Sequence, residues 1–215
     1  MSRLALGAVL PSLAIWSLVL VWLSRGDSPG RAVLRLTVDL RKLQEQAEVG
    51  EVIDAWRGVP VRNNGIPYDR SVGSHHSPSG YYYGRQWQCV EFVKRFYFDA
   101  RGHAMPDVMG HAREFYDPAV PSGEINAKRG MRQFANGGSE PPRLDDLMVW
   151  TEGSYGHVAV VCKVGADFVE VVQQNVRQGS RQRFRLVRSG ETTPTVRVEG
   201  PRDPAGWLRV TGPEK

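Results

Sequence analysis

The chain has 215 residues, of which 41% are hydrophobic and 24% charged, with a formal net charge of +5. That composition excludes global disorder and suffices for one domain of moderate size plus an anchor. The charge is mild, and its densest basic run, Arg181, Arg183 and Arg185, alternates with Gln182, Phe184 and Leu186. Such alternation reads as the solvated face of a strand rather than a nucleic-acid groove, so no nucleic-acid partner is expected. Two cysteines, Cys89 and Cys162, are too few for a disulfide framework or a zinc site. With no Gly-rich phosphate loop, metal-spaced histidine pair or internal repeat, neither a metal nor an organic cofactor is expected.

At the N-terminus, Leu4 to Ser24 carries no charge and is rich in Leu, Val, Ala and Trp. As a helix this run is about 31 Å long, enough for a bilayer core. It ends Val21-Trp22-Leu23-Ser24-Arg25, a poor match to the small residues of a cleavage site. Residues 1–26 are therefore expected to form an uncleaved single-pass transmembrane anchor, with a cleaved signal as the rival. Arg25, Arg31 and Arg35 beyond the run argue for a cytoplasmic domain by the positive-inside rule. The short leader before Arg3, leading into an apolar helix, resembles a signal anchor that exports the rest of its chain. Export is preferred here, giving a periplasmic or extracytoplasmic domain.

Residues 27–49 open on the breaker Asp27-Ser28-Pro29-Gly30. Val33, Leu36, Leu40, Leu43 and Ala47 then recur at amphipathic-helix spacing through a charged segment. Two heptads are too few for a coiled coil. A juxtamembrane helix packed on the domain or the membrane surface is expected, with a weak dimer contact as the other option. The globular domain takes residues 50–215, and its Gly and Pro punctuation predicts short strands after a helical first half.

In Gly84-Arg-Gln-Trp-Gln-Cys-Val-Glu-Phe92 a thiol meets the start of a helical pattern. Phe92, Val93, Phe96, Tyr97 and Ala100 mark the apolar face, and Gly102 closes the helix. Cys89 thus falls in the first turn, where free N–H groups and the dipole favour a thiolate. The alternative is a small apolar residue packed under the helix.

A thiol nucleophile needs a base. His75 and His76 lie in a stretch of loop composition, His103 follows the helix-ending glycine, and His111 sits in a second amphipathic segment with Ala112, Phe115 and Tyr116. His157 differs, because it opens the strand-forming Gly156-His-Val-Ala-Val-Val-Cys-Lys163 directly after a turn. A hairpin centred on Gly165 would set Val161 against Val169, Ala159 against Val171 and His157 against Gln173. Gln173 would then orient the imidazole with Asn175 nearby, Glu170 and Gln174 would share the outer face, and Cys162 would be a small core residue. A register shift or bulge is the alternative.

Trp87-Gln-Cys-Val-Glu-Phe92, Gly156-His-Val-Ala-Val-Val161 and Gln173-Gln-Asn-Val176, in that order, resemble the CHAP family of cysteine, histidine-dependent amidohydrolases/peptidases. Within it they are similar to the amidase domain of glutathionylspermidine synthetase/amidase. Leu147-Met-Val-Trp150 and Gly206-Trp-Leu208 also fit, so the resemblance covers roughly residues 50–210. It implies a papain-like α+β fold, with a catalytic-Cys helix at its N-terminal side packed on an antiparallel sheet. The implied roles fall on Cys89 as nucleophile, His157 as base and Gln173 as the orienting residue. Gln88 and the Cys89 N–H would serve the oxyanion, and Asn175 would contact substrate. The resemblance departs at Gln173, where that amidase domain has Glu. A carboxylate stabilises an imidazolium, whereas an amide mainly fixes tautomer and orientation. The expected function is a membrane-anchored thiol amidase acting on a peptide or peptide–polyamine amide. The alternatives are a peptidoglycan stem-peptide hydrolase and a catalytically inactive scaffold that binds cell-wall material.

Overall fold

The computed structural model describes residues 47–212 except 67, 69, 178 and 191–194, all within the unit 44–215. The anchor expected over 1–26 and most of the juxtamembrane segment lie outside the described residues. Among the described residues, no helix is long and apolar enough to cross a membrane.

Two hairpins come first: β1 (Val52–Trp56) with β2 (Val59–Arg62), and β3 (Ser74–His76) with β4 (Tyr82–Arg85). Helix α1 (Cys89–Arg101) follows, then a 3-10 helix (Ala112–Phe115). The remaining strands are β5 (Ile125–Asn126), β6 (Met131–Ala135), β7 (Leu147–Trp150), β8 (His157–Val164), β9 (Phe168–Val172), β10 (Arg181–Ser189), β11 (Thr195–Glu199) and β12 (Gly206–Val210). They form one antiparallel sheet in the order β11-β10-β9-β8-β7-β12-β6-β5.

Both faces of this sheet are buried, which is why β8 reads as a nearly unbroken apolar run. On one face α1 lays Phe92, Val93 and Phe96 against Val149, Val158, Val160 and Val172. Each such side chain, removed from water, stabilises the fold by about 1.5–3 kcal/mol. On the other face the sheet curls around Trp150, Ala159, Val161, Val171, Phe184 and Trp207. Gly102 ends α1 in the left-handed conformation (φ 62°), its N–H donating to the Tyr97 carbonyl, as its position after the last apolar residue predicts.

Four expectations need correction. The first half of the domain is not mainly helical, since it holds four strands beside α1. His75 and His76 belong to β3 rather than a loop. The segment after His111 makes only a single 3-10 turn, because the Arg113 N–H is drawn to the Tyr155 carbonyl and Pro118 follows closely. The β8–β9 register is also two residues from the expected one: Val161 faces Val171, and Val160 faces Val172. A bulge between Val161 and Lys163 lengthens the β8 side, and the turn closes with the Gly165 N–H on the Phe168 carbonyl. A shift of two conserves the alternation, so Ala159, Val161, Val169 and Val171 still share one face.

Gly156 sets the entry to β8. Its φ is +70°, and an added Cβ would lie 2.5 Å from the Trp150 carbonyl and 2.6 Å from the Arg113 nitrogen. Only glycine fits this turn, and the turn delivers His157 to the strand's first position.

Candidate active site

Cys89 is the first residue of α1 and 9% exposed. The backbone N–H groups of Val158, Val90 and Cys89 lie near enough to its sulfur to favour the thiolate. Val158, one residue beyond His157, shares a core cluster with Cys89, so the helix start packs near the beginning of β8. No hydrogen bond joins the thiol to the imidazole among the described residues, and such contacts commonly tighten only when substrate is bound.

His157 is partly buried, with its ring 5.6 Å from that of Trp150. Its Nε2 lies 3.0 Å from Gln173 Oε1. The contact anticipated from strand alternation therefore forms, although Gln173 lies one residue past β9 rather than within a regular ladder. Gln173 is itself buried, and its Nε2 donates to the Gly179 carbonyl and to Gln182 Oε1, each at 3.2 Å. With both amide hydrogens so used, Oε1 is left to face the imidazole and can only accept. His157 Nε2 is then the protonated nitrogen, and Nδ1 carries the lone pair. Glu170 takes no part, because its carboxylate accepts from Arg183.

Burial controls the protonation states. Desolvation pushes the Cys89 thiol up to about 11, and the three N–H groups at sulfur only partly oppose it. Desolvation likewise pushes the His157 imidazole down to about 4 against the opposing bond to Gln173. Both shifts favour the neutral forms, a neutral thiol beside a neutral imidazole, against the thiolate expected from the helix start.

Gln88 and Asn175 are positioned differently from expectation. Gln88 Nε2 donates to the Tyr68 and Arg70 carbonyls, at 3.2 and 2.6 Å. Asn175 Nδ2 donates to the Tyr68 carbonyl at 2.7 Å and to Gln88 Oε1 at 2.6 Å. Asn64 Nδ2 reaches Asn175 Oδ1 at 3.0 Å. The amide donors of Gln88 and Asn175 are all engaged, so neither has one free for an oxyanion or a substrate. Between them they tie the Tyr68 and Arg70 carbonyls to the residue just before α1.

Sequence reasoning missed the layer behind the thiol. Gln174 shares the face of Glu170 and Val172, as the alternation requires, but α1 packs on that face and buries it. Its Nε2 donates to the Gln88 carbonyl at 3.1 Å and to Glu91 Oε2 at 2.8 Å. Glu91 is fully buried and meets Arg95 Nε at 2.6 Å and His75 Nδ1 at 2.7 Å. Burial alone would raise its pKa, but the bonds from His75, Arg95 and Gln174 and the Arg95 charge hold it below the ordinary carboxylate value. The one available signal was the i, i+4 spacing of Glu91 and Arg95, which on a helix ordinarily marks a solvent-exposed pair. Cys162 sits in the core beneath α1, its thiol donating to the Glu170 carbonyl at 3.3 Å. No group of His, Cys, Asp and Glu arranged to hold a metal ion occurs among the described residues.

Comparison with known proteins places this geometry in context. Residues 80–175 match the model of the CHAP domain. The chain is 33% identical over 100 residues to the bifunctional glutathionylspermidine synthetase/amidase of Escherichia coli (strain K12), covering 44% of this chain and 16% of that protein. It is 29% identical over 97 residues to the trypanothione synthetase of Crithidia fasciculata, covering 44% of this chain and 15% of the relative. The glutathionylspermidine synthase of Crithidia fasciculata is 34% identical over 98 residues, covering 43% and 14%. The matched stretch thus spans about a sixth or less of these relatives' own length.

The neutral resting pair predicts a specific alkylation profile. A thiol titrating near 11 gains thiolate only as pH rises towards that value. Iodoacetamide should therefore modify Cys89 slowly at pH 6, and its rate should still be climbing above pH 9. A plateau below pH 8, read by peptide mapping, would show that an ion pair already exists.

Proposed function

We propose that residues 80–175, which match the CHAP domain, are those of a cysteine-dependent amidohydrolase in which Cys89 and His157 hydrolyse an amide bond by covalent catalysis. One observation carries this reading. Successive residues of β8 serve both partners: Val158 lies in the same core cluster as Cys89, while His157 is oriented by Gln173.

In the proposed cycle His157 Nδ1 takes the thiol proton as sulfur attacks the carbonyl carbon. The proton moves during attack, because both groups rest neutral. Charge developing on the carbonyl oxygen is met by the N–H groups at the start of α1, where the helix dipole favours an anion. The imidazolium then protonates the departing amine, leaving an acyl thioester on Cys89. A water deprotonated by His157 cleaves that thioester, releases the acid and restores the thiol. Gln173 keeps the imidazole in the tautomer that this sequence of proton transfers requires.

The substrate class proposed is a peptide–polyamine amide such as glutathionylspermidine, suggested by the names of the relatives matched. Full-length protein should release glutathione and spermidine from it, and Cys89→Ala should abolish the release. Turnover that survives Cys89→Ala, measured by mass spectrometry, would remove the nucleophile. The reading also includes a membrane anchor in residues 1–26, supported by the uncharged run Leu4–Ser24, with the domain on the periplasmic side. Carbonate washing of membranes should leave the full-length chain in the pellet, and release into the wash would discard the anchor.

A further inference from the structure

Resting on the reading of His157 as general base, we propose that Gln182 is a positioning residue that locks the Gln173 amide and thereby sets the His157 tautomer. A carboxylate beside a catalytic imidazole needs no such lock, because both its oxygens accept. An amide is two-faced: turned by 180°, it would present Nε2 to the imidazole and stabilise the opposite tautomer, with the lone pair on Nε2 and the proton on Nδ1. An orienting glutamine therefore works as a base-setting residue only if its surroundings forbid the turn.

Two acceptors provide that restriction. Gln173 Nε2 donates to the Gly179 carbonyl at 3.2 Å and to Gln182 Oε1 at 3.2 Å, while Oε1 lies 3.0 Å from His157 Nε2. After a turn of the amide, Oε1 would confront two oxygens without a proton between them. The Gly179 carbonyl is an acceptor in every arrangement, and Gln182 Oε1 adds a second acceptor that a substitution can remove or reverse. Gln182 is well sited for this. It lies opposite Val171 in the β9–β10 pairing and two residues before Phe184, hence on the sheet face that carries Val171, Ala159 and Val161. Its backbone sits within β10, paired with Val171 of β9.

The proposal makes opposite demands on position 182 according to what stands at 173. With Gln173, residue 182 must accept. With Glu at 173, it must donate. Full-length variants Gln182→Glu, Gln182→Lys, Gln182→Leu, Gln173→Glu and the double variant Gln173→Glu/Gln182→Lys separate this from a merely structural role. The His157 tautomer is read from two-bond proton–nitrogen spectra, and turnover is measured alongside. Wild type and Gln182→Glu should show the proton on Nε2. Gln182→Lys and Gln182→Leu should shift population to the Nδ1–H form, with kcat falling about fivefold, the scale of one neutral hydrogen bond, at little change in KM. Gln182→Lys should lose that penalty in the Gln173→Glu background. Retention of the Nε2–H tautomer in both Gln182→Lys and Gln182→Leu would overturn the proposal, as would equal loss from Gln182→Lys in the two backgrounds. The spectra judge the lock independently of catalysis, whereas a fully active His157→Ala variant would defeat the base assignment itself.

Discussion

Three consecutive amides leaving β9 hold the candidate site together. Gln173 orients His157, Gln174 ties the Gln88 carbonyl and Glu91, and Asn175 clamps the Gln88 side chain and the Tyr68 carbonyl. One short segment thus touches the base, the back of the nucleophile's helix and the loop across its front. It can do so because side chains alternate along the strand, so Gln174 follows Val172 towards α1 while Gln173 takes the opposite face with His157. Displacing this segment would move both halves of the site at once.

Charge is kept one layer away from the chemistry. The buried Glu91 carboxylate is paired with Arg95 and hydrogen-bonded to His75 and Gln174, so the ionised group braces α1 without facing His157. Around the thiol and imidazole, burial is opposed only by neutral donors and an amide, and burial wins: the thiol is pushed up and the imidazole down. The neutral orienting residue and the neutral resting pair are consistent with each other. A carboxylate at 173 would favour an imidazolium by about 1–3 pKa units, whereas an amide controls geometry alone.

The sequence carried the parts of the site that depend on local pattern. The apolar stripe from Phe92 to Ala100 and the closing Gly102 located the helix, so Cys89 at its start was readable. The turn before His157 and the β-branched run after it located the strand. The His157–Gln173 contact survived a wrong register, because the actual shift of two residues preserves which face each side chain takes. What escaped was set by long-range packing. A helix-start dipole argues for a thiolate, but only the packed structure reveals that desolvation outweighs it. Gln88 reads as an oxyanion donor and Asn175 as a substrate contact because nothing in their local sequence discloses that they bond each other across 87 positions. Gln182 was read only as one of the residues interleaved with the β10 arginines, and its contact with Gln173 depends on the turn between the strands.

The central claim is that catalysis passes through an acyl group on Cys89. Acid quenching of full-length protein during turnover of glutathionylspermidine, followed by intact-mass measurement and peptide mapping, tests it directly. The account predicts a glutathionyl thioester on the peptide containing Cys89, formed and lost at rates compatible with turnover, with Cys162 unmodified. Turnover without any adduct on that peptide, or with the adduct on Cys162, would contradict it.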